Sequence, residues 1–249
     1  MTYTGSKDFL LDVARGKITG HTIILRNGLN ADVDIAAEED VWAGGGDLSW
    51  QTSAQALEAI SSSANDIAST GSGARTIKVW GLNSSYADVN QTVSMNGTTA
   101  VSLATNLIYV DRVEIVTTGS GEVNAGDIDI RLSGAGAVQA RMPTGFGQSW
   151  RASYFVPLSK TAYLIGWTSS LYKAVSGSVE LRLMLSEDGV GWRVVVLHEL
   201  TQTGTGQTTR SEGDLMIALP QKTRVRVRAK TSADNMGVSS SLMMLLIDN

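Results

Sequence analysis

The chain has 249 residues, 43% of them hydrophobic and 18% charged, and a formal net charge of −4. That length suits one large domain or two small ones, and the acidic balance argues against a nucleic-acid-binding module, which carries a concentrated basic face. With no cysteine present, disulfides, thiolate metal sites and cysteine nucleophiles are excluded.

The first 45 or so residues differ from the rest. Ser6 is placed to cap a short helix with Phe9, Leu10 and Val13 on one face and Gly16 as its stop. No long apolar run occurs here, so no signal peptide is expected. No stretch approaches the roughly 20 apolar residues of a membrane span. An extended segment follows through Ile23 and Leu25 to Asn27-Gly28, a turn dipeptide. Asp32, Asp34, Glu38, Glu39 and Asp40 make the next stretch acidic, Trp42 follows, and Gly44-Gly45-Gly46 closes it. A helix this short is not stable alone, so residues 1–46 are expected to be an anchoring arm docked on its own domain or on a neighbouring subunit.

From Leu48 onward the hydrophobic period is close to two. Ile77 and Val79, then Val89 and Val93, Val113 and Ile115, and Ile128 and Ile130 alternate with polar residues, as in half-buried antiparallel strands. Glycine- and asparagine-rich turns separate them, and Asn96-Gly97 is the strongest hairpin cue. Residues 47–135 therefore read as one β-sandwich, 136–147 as a linker rich in Gly, and 148–249 as a second sandwich. In that second half Val179, Leu181, Leu183 and Leu185 alternate, Val194 to Leu197 read as buried on both faces, and Val238 to Ile247 form a last strand. The fold class is all-β: two tandem antiparallel sandwich or jelly-roll units behind an arm with a short helix.

Candidate chemistry is sparse. His21 and His198 have no partner at metal-ligand spacing, and no nucleophile elbow or phosphate loop appears. Asp127 and Asp129 share one strand face, as paired carboxylates would, or as a solvated face neutralised by Arg131. Arg224, Arg226, Arg228 and Lys230 form a one-sided basic stripe spaced roughly 7 Å apart along a strand. Such a stripe is destabilising unless acidic groups answer it. Glu180, Glu199 or a partner's acidic arm are the candidates, and nucleic acid is not supported because no aromatics interleave. No catalytic residue, metal site or cofactor is assigned.

Several stretches carry a resemblance. Phe9-Leu10-Leu11-Asp12-Val13-Ala14-Arg15-Gly16, Glu39-Asp40-Val41-Trp42-Ala43-Gly44, Val79-Trp80-Gly81-Leu82-Asn83 and Thr92-Val93-Ser94-Met95-Asn96-Gly97 are examples. With Val156-Pro157-Leu158 and the last strand they resemble uncharacterised structural proteins of tailed-bacteriophage virions. The resemblance implies a place in a particle and no reaction. The compact two-sandwich length, without a fibre-like repeat, favours a capsid-surface cement or decoration protein, expected to be a homotrimer bound to virion proteins such as the major capsid protein and assembled in the host cytoplasm. A tail-associated protein, or a host-glycan adhesin using Tyr86, Trp167 and Tyr172, is the alternative. The expected assembly contacts are Phe9, Leu10, Val13, Ile23 and Leu25, then Asp32, Asp34 and Trp42, and Arg224, Arg226 and Arg228. Deleting residues 1–45 is then expected to abolish particle binding and leave a folded β protein.

Overall fold

A computed structural model describes residues 6–187, 189–204 and 208–249. One helix, α1 (Ser6–Ala14), ends where Gly16 turns at φ +70°, and every other element is a strand. The chain then lays down β1 (His21–Val33), β2 (Glu39–Asp40), β3 (Leu57–Ser61), β4 (Ala74–Leu82), β5 (Asp88–Ser94), β6 (Val101–Ser102), β7 (Tyr109–Thr118), β8 (Ile128–Leu132) and β9 (Val138–Met142). It continues through β10 (Ser153–Phe155), β11 (Lys160–Leu171), β12 (Gly177–Ser186), β13 (Arg193–Gln202), β14 (Thr208–Leu219), β15 (Arg224–Thr231) and β16 (Met236–Asp248).

Pairing divides these strands into two units, and the division is not the expected tandem one. One sheet has the order β1-β16-β11-β14 and a second has β10-β15-β12-β13, with β2 added on β15. Their inner faces share one core, in which Leu164, Trp167 and Leu242 meet Leu181, Leu183 and Val227. The other unit, β6-β3-β8-β9 over β5-β4-β7, has its own core around Ile77, Val79, Val113, Ile128 and Ile130. The inner unit is thus inserted between the first and the later strands of the outer one.

The residues expected to form an arm are built into the outer unit. β1 pairs with β16 from His21↔Ile247 to Asn30↔Val238, and β2 pairs with Arg228 and Ala229. The strand runs straight through Asn27-Gly28, where a turn was expected. A Cβ at Gly28 would collide with the Val41 carbonyl and the Ala152 amide, so glycine serves close backbone approach. The expected linker also contains a strand, since β9 pairs with β8 from Ile128↔Met142 to Arg131↔Val138. Nor does Asn96-Gly97 join two paired strands: β5 pairs with β4 and β6 with β3. Gly97, at φ +59°, instead donates its N–H to the Asp66 carbonyl.

Asp66 organises the loops at one end of the inner unit. Its buried carboxylate accepts from the Ser61 hydroxyl at 2.6 Å and from the backbone N–H of Ala74, Ala125 and Gly126 at 2.6, 2.8 and 2.9 Å. Two side chains tie the units together. Arg26 of β1 makes a two-pronged ion pair with Asp111 of β7, and Arg151 donates to the carbonyls of Val110 and Gln139 at 2.9 and 2.7 Å. Burial works to neutralise Arg26, but the Asp111 carboxylate overcomes it and raises its pKa. Around these, Leu82, Ile108 and Tyr109 pack on Phe155 with Trp50 and Tyr86 at the margin.

Two outcomes follow. Deletion of residues 1–45 removes β1 and β2 and is expected to unfold the outer unit, so thermal circular dichroism should show loss of its cooperative transition while fragment 54–143 still melts cooperatively. Asp66→Ala leaves buried N–H donors unanswered and should lower the inner unit's stability by about 3 kcal/mol or more in chemical denaturation.

Candidate assembly surface

The basic stripe on β15 is answered within the chain. Residues 38–47 cross it as an acidic strap: Glu38 and Asp47 meet Arg228, the latter at 2.5 Å, and Asp40 lies 3.5 Å from Arg226. The Arg226 guanidinium also lies 4.0 Å from the Trp192 ring centroid. Arg224 donates to the carbonyls of Gly189 and Gln51, both at 3.1 Å, and covers Phe155 and Trp50. Lys230 stands opposite Glu180 in the register, whereas Glu199 faces Glu180 and does not reach the stripe. Trp42 is buried, with its indole N–H on the Gly46 carbonyl at 3.1 Å. Asp40 is fully buried, and desolvation pushes its pKa up to about 6 against the pull of Arg226. These expected assembly contacts are therefore spent internally.

Asp32 and Asp34 likewise stay local. Asp34 accepts from the Asn235 N–H at 2.9 Å, and the Asp32 N–H donates to the Asn30 side chain at 3.0 Å. The remaining expected contacts converge on the outer face of the β1-β16-β11-β14 sheet. There Val13 packs with Ile165 and Leu245, flanked by Phe9, Leu10, Ile23 and Tyr163. The cause is legible in β16, where Met243, Leu245 and Ile247 point away from the core that Leu242, Met244 and Leu246 enter. A strand apolar on both faces needs cover on both.

Helix α1 supplies only part of that cover. Beside it an open groove of about 980 Å³ runs over β16 and β11. Phe9 and Leu10 form one wall, Ser211 to Asp214 and Met216 of β14 the other, and Ile165, Gly166 and Met243 the floor. β14 bulges here: Leu164 pairs with Ile217 and Gly166 with Gly213, so Asp214, Leu215 and Met216 stand against Ile165 alone. Asp214 and Met216 adopt φ of +57° and +49°, and the Met216 side chain is 61% exposed. Leu25, at the β1 end, is 53% exposed. Sequence reasoning missed the β14 wall because neither its bulge nor its left-handed residues leave a pattern in the alternation. It also placed Val194 to Leu197 inside, although Val194 and Leu197 are exposed on the sheet edge.

The candidate catalytic and sugar-binding groups are engaged in packing. Asp129 makes a two-pronged pair with Arg141 at 2.7 Å, and Asp127 accepts from the Thr144 N–H and hydroxyl at 2.8 and 2.9 Å. Arg131, expected to neutralise them, pairs instead with Glu58 at 2.7 Å. His198 is fully buried, stacked on Trp167 at 3.7 Å, with Ser169 Oγ 3.2 Å from Nδ1 and Glu212 3.3 Å from Nε2. Burial lowers its pKa, opposed by the Glu212 carboxylate. Ser169 is equally buried, and Glu212 is shared with Arg210 at 2.6 Å. His21 sits edge-on to Phe9 and 3.0 Å from the Thr19 carbonyl. Trp167 is a core residue, Tyr86 packs on Phe155, and Tyr172 donates to the Asn30 carbonyl at 3.3 Å. Among the described residues no cluster of three or more potential metal ligands occurs, and no helix is long and apolar enough to cross a membrane.

No protein-family model and no curated protein matches the sequence. Among solved structures the chain is similar to the infectious bursal disease virus Gt strain structure, at 12% identity and a TM-score of 0.27, covering 96% of this chain and 78% of that one. It is similar to the Gx strain structure at 12% identity and 0.28, with 92% and 72% covered. The VP2 subviral particle of the same virus gives 10% identity and 0.25, with 97% and 78% covered. Likenesses this weak carry no argument about function.

The buried strap sets a pH response. A carboxylic acid whose folded pKa lies above its ordinary value carries its charge at a cost above about pH 6, and that cost fades as pH falls toward 4. Relative to Asp40→Asn, the wild type should therefore gain about 3 kcal/mol of stability in total as pH falls from 7 to 4. His198, held neutral by burial, loses stability as pH falls and cancels in the difference. Thermal midpoints measured across this range for both proteins check the expectation.

Proposed function

We propose that this chain is a non-enzymatic structural protein of a tailed-bacteriophage particle, a capsid-surface cement or decoration protein that joins its neighbours through the outer face of the β1-β16-β11-β14 sheet. The observation that carries the reading is the open apolar groove on that face, with Leu25 and Met216 exposed at its edges. Contiguous exposed apolar surface on a soluble protein marks an interaction site. The titratable groups that catalysis would need are engaged in closed structural pairs, which favours assembly over chemistry. The β15 stripe is answered by the acidic strap, which favours a structural role for it over nucleic-acid binding.

Strand order supports the same reading. Eight strands in two four-stranded sheets, β1-β16-β11-β14 and β10-β15-β12-β13, with every successive pair except β12-β13 crossing between sheets, are read as a jelly roll. The inner unit is read as a second sandwich inserted between its first strands. Among its partners we place the major capsid protein, with assembly in the host cytoplasm. A tail position is the second reading, and a glycan-binding role is not favoured because the aromatics that suggested it lie in packing positions.

Imaging of particles with the chain labelled is the test. Label on the capsid shell is expected, with Leu25→Glu lost from particles while its thermal midpoint moves by no more than surface substitutions do, about 0.5 kcal/mol. Label at the tail selects the second reading, and absence from particles overturns both.

A further inference from the structure

The groove needs an occupant, and its own geometry names one. Ridge and recess lie side by side on the same face of one sheet: α1 rises over the β1 side, and the groove lies between it and the β14 bulge. While Phe9, Leu10 and Val13 of α1 point to the sheet, Leu11 points away and is 52% exposed. We infer that a second copy of this chain packs face to face on this sheet about a two-fold axis, each copy's α1 entering the other's groove.

Three features converge on this partner. First, a ridge and a recess on one face are satisfied together only when two such faces oppose each other. A head-to-tail ring of three would need them on different surfaces. Second, the charges are complementary. The α1 side ends in Arg15 and Lys17, the latter shared with Asp12 at 3.4 Å, whereas the opposite wall carries Asp214. A two-fold axis along the strands lays the basic end of each copy's ridge toward Asp214 of the other. Third, the recess has room at its floor. A Cβ on Gly166 would meet only the Glu212 carbonyl and Met243 Cβ, at 3.6 and 3.7 Å, so an incoming leucine side chain meets no backbone obstruction. Leu11 on one side and Met216 on the other form the apolar centre, and charge lies at the margin, as in stable interfaces.

This names the self-association surface within the structural-protein reading, and its failure is separable from that reading's. Full-length protein is examined by sedimentation equilibrium at micromolar concentration, with far-ultraviolet circular dichroism as the folding control. A two-chain mass is expected. Leu11→Arg and Met216→Asn, the latter tolerating the left-handed backbone, should each shift it toward a single chain. Arg15→Glu should weaken the dimer about tenfold by setting a carboxylate against Asp214, and adding Asp214→Asn should recover part of that loss. A three-chain mass, a monomer at all concentrations, or a dimer indifferent to all these variants overturns the inference. If the wild type is a monomer and Leu11→Arg stays folded but leaves the particle, a shell protein fills the groove and the two-fold pairing is wrong. A dimer that responds as expected but never enters particles overturns the virion reading and leaves the pairing intact.

Discussion

The antiparallel ladder between β1 and β16 is the constraint on which the rest of the molecule depends. It joins residue 21 to residue 247 and continues to Asn30↔Val238, so the outer core closes only when strands some 200 positions apart lie side by side. Everything from Leu57 to Met142 is thereby confined to an excursion out of that unit and back. Its return is fixed at Gly28, where β1, the strap at Val41 and the entry to β10 at Ala152 come together too closely for any side chain.

An insertion of this kind must be held at its neck, and the neck is built from arginines lying on aromatic rings. Arg151 lies 4.3 Å from the Tyr109 centroid, Arg224 lies 5.0 Å from that of Phe155, and Trp50 stacks on Tyr109. Guanidinium groups are weakly hydrated and planar, so they tolerate this half-buried setting better than ammonium groups would. The acidic strap uses the same principle one layer out. It covers a row of like charges that β15 alone would not tolerate, so Arg226 and Arg228 are answered within the chain.

Much of the strand content was legible because alternation reports burial directly. Ile77 and Val79, Ile128 and Ile130, and Leu181 and Leu183 all enter cores as their spacing required. The helix from Ser6 to its stop at Gly16 was equally clear. Connectivity was not legible. Alternation says that a residue faces a core and not which core, so β1 and β2 read as an arm although their partners lie some 200 positions on. Asn27-Gly28 and Asn96-Gly97 show the same gap, since a dipeptide that permits a turn also permits close approach. For the candidate surface, Phe9, Leu10 and Leu25 were found because they are apolar in a segment too short to hide them. Asp214 and Met216 were not, because a bulge is a property of the pairing.

Closing a core with strands so far apart in the chain also sets a timetable for synthesis. At ribosomal rates the interval between completion of β1 and arrival of its partner is roughly 10–40 s. Throughout that interval Ile23, Ile24 and Leu25 have no ladder beside them, while the inner unit, whose strands end at Met142, has long been complete. The nascent chain therefore carries a finished domain tethered to an unfinished one, with a greasy strand awaiting its mate.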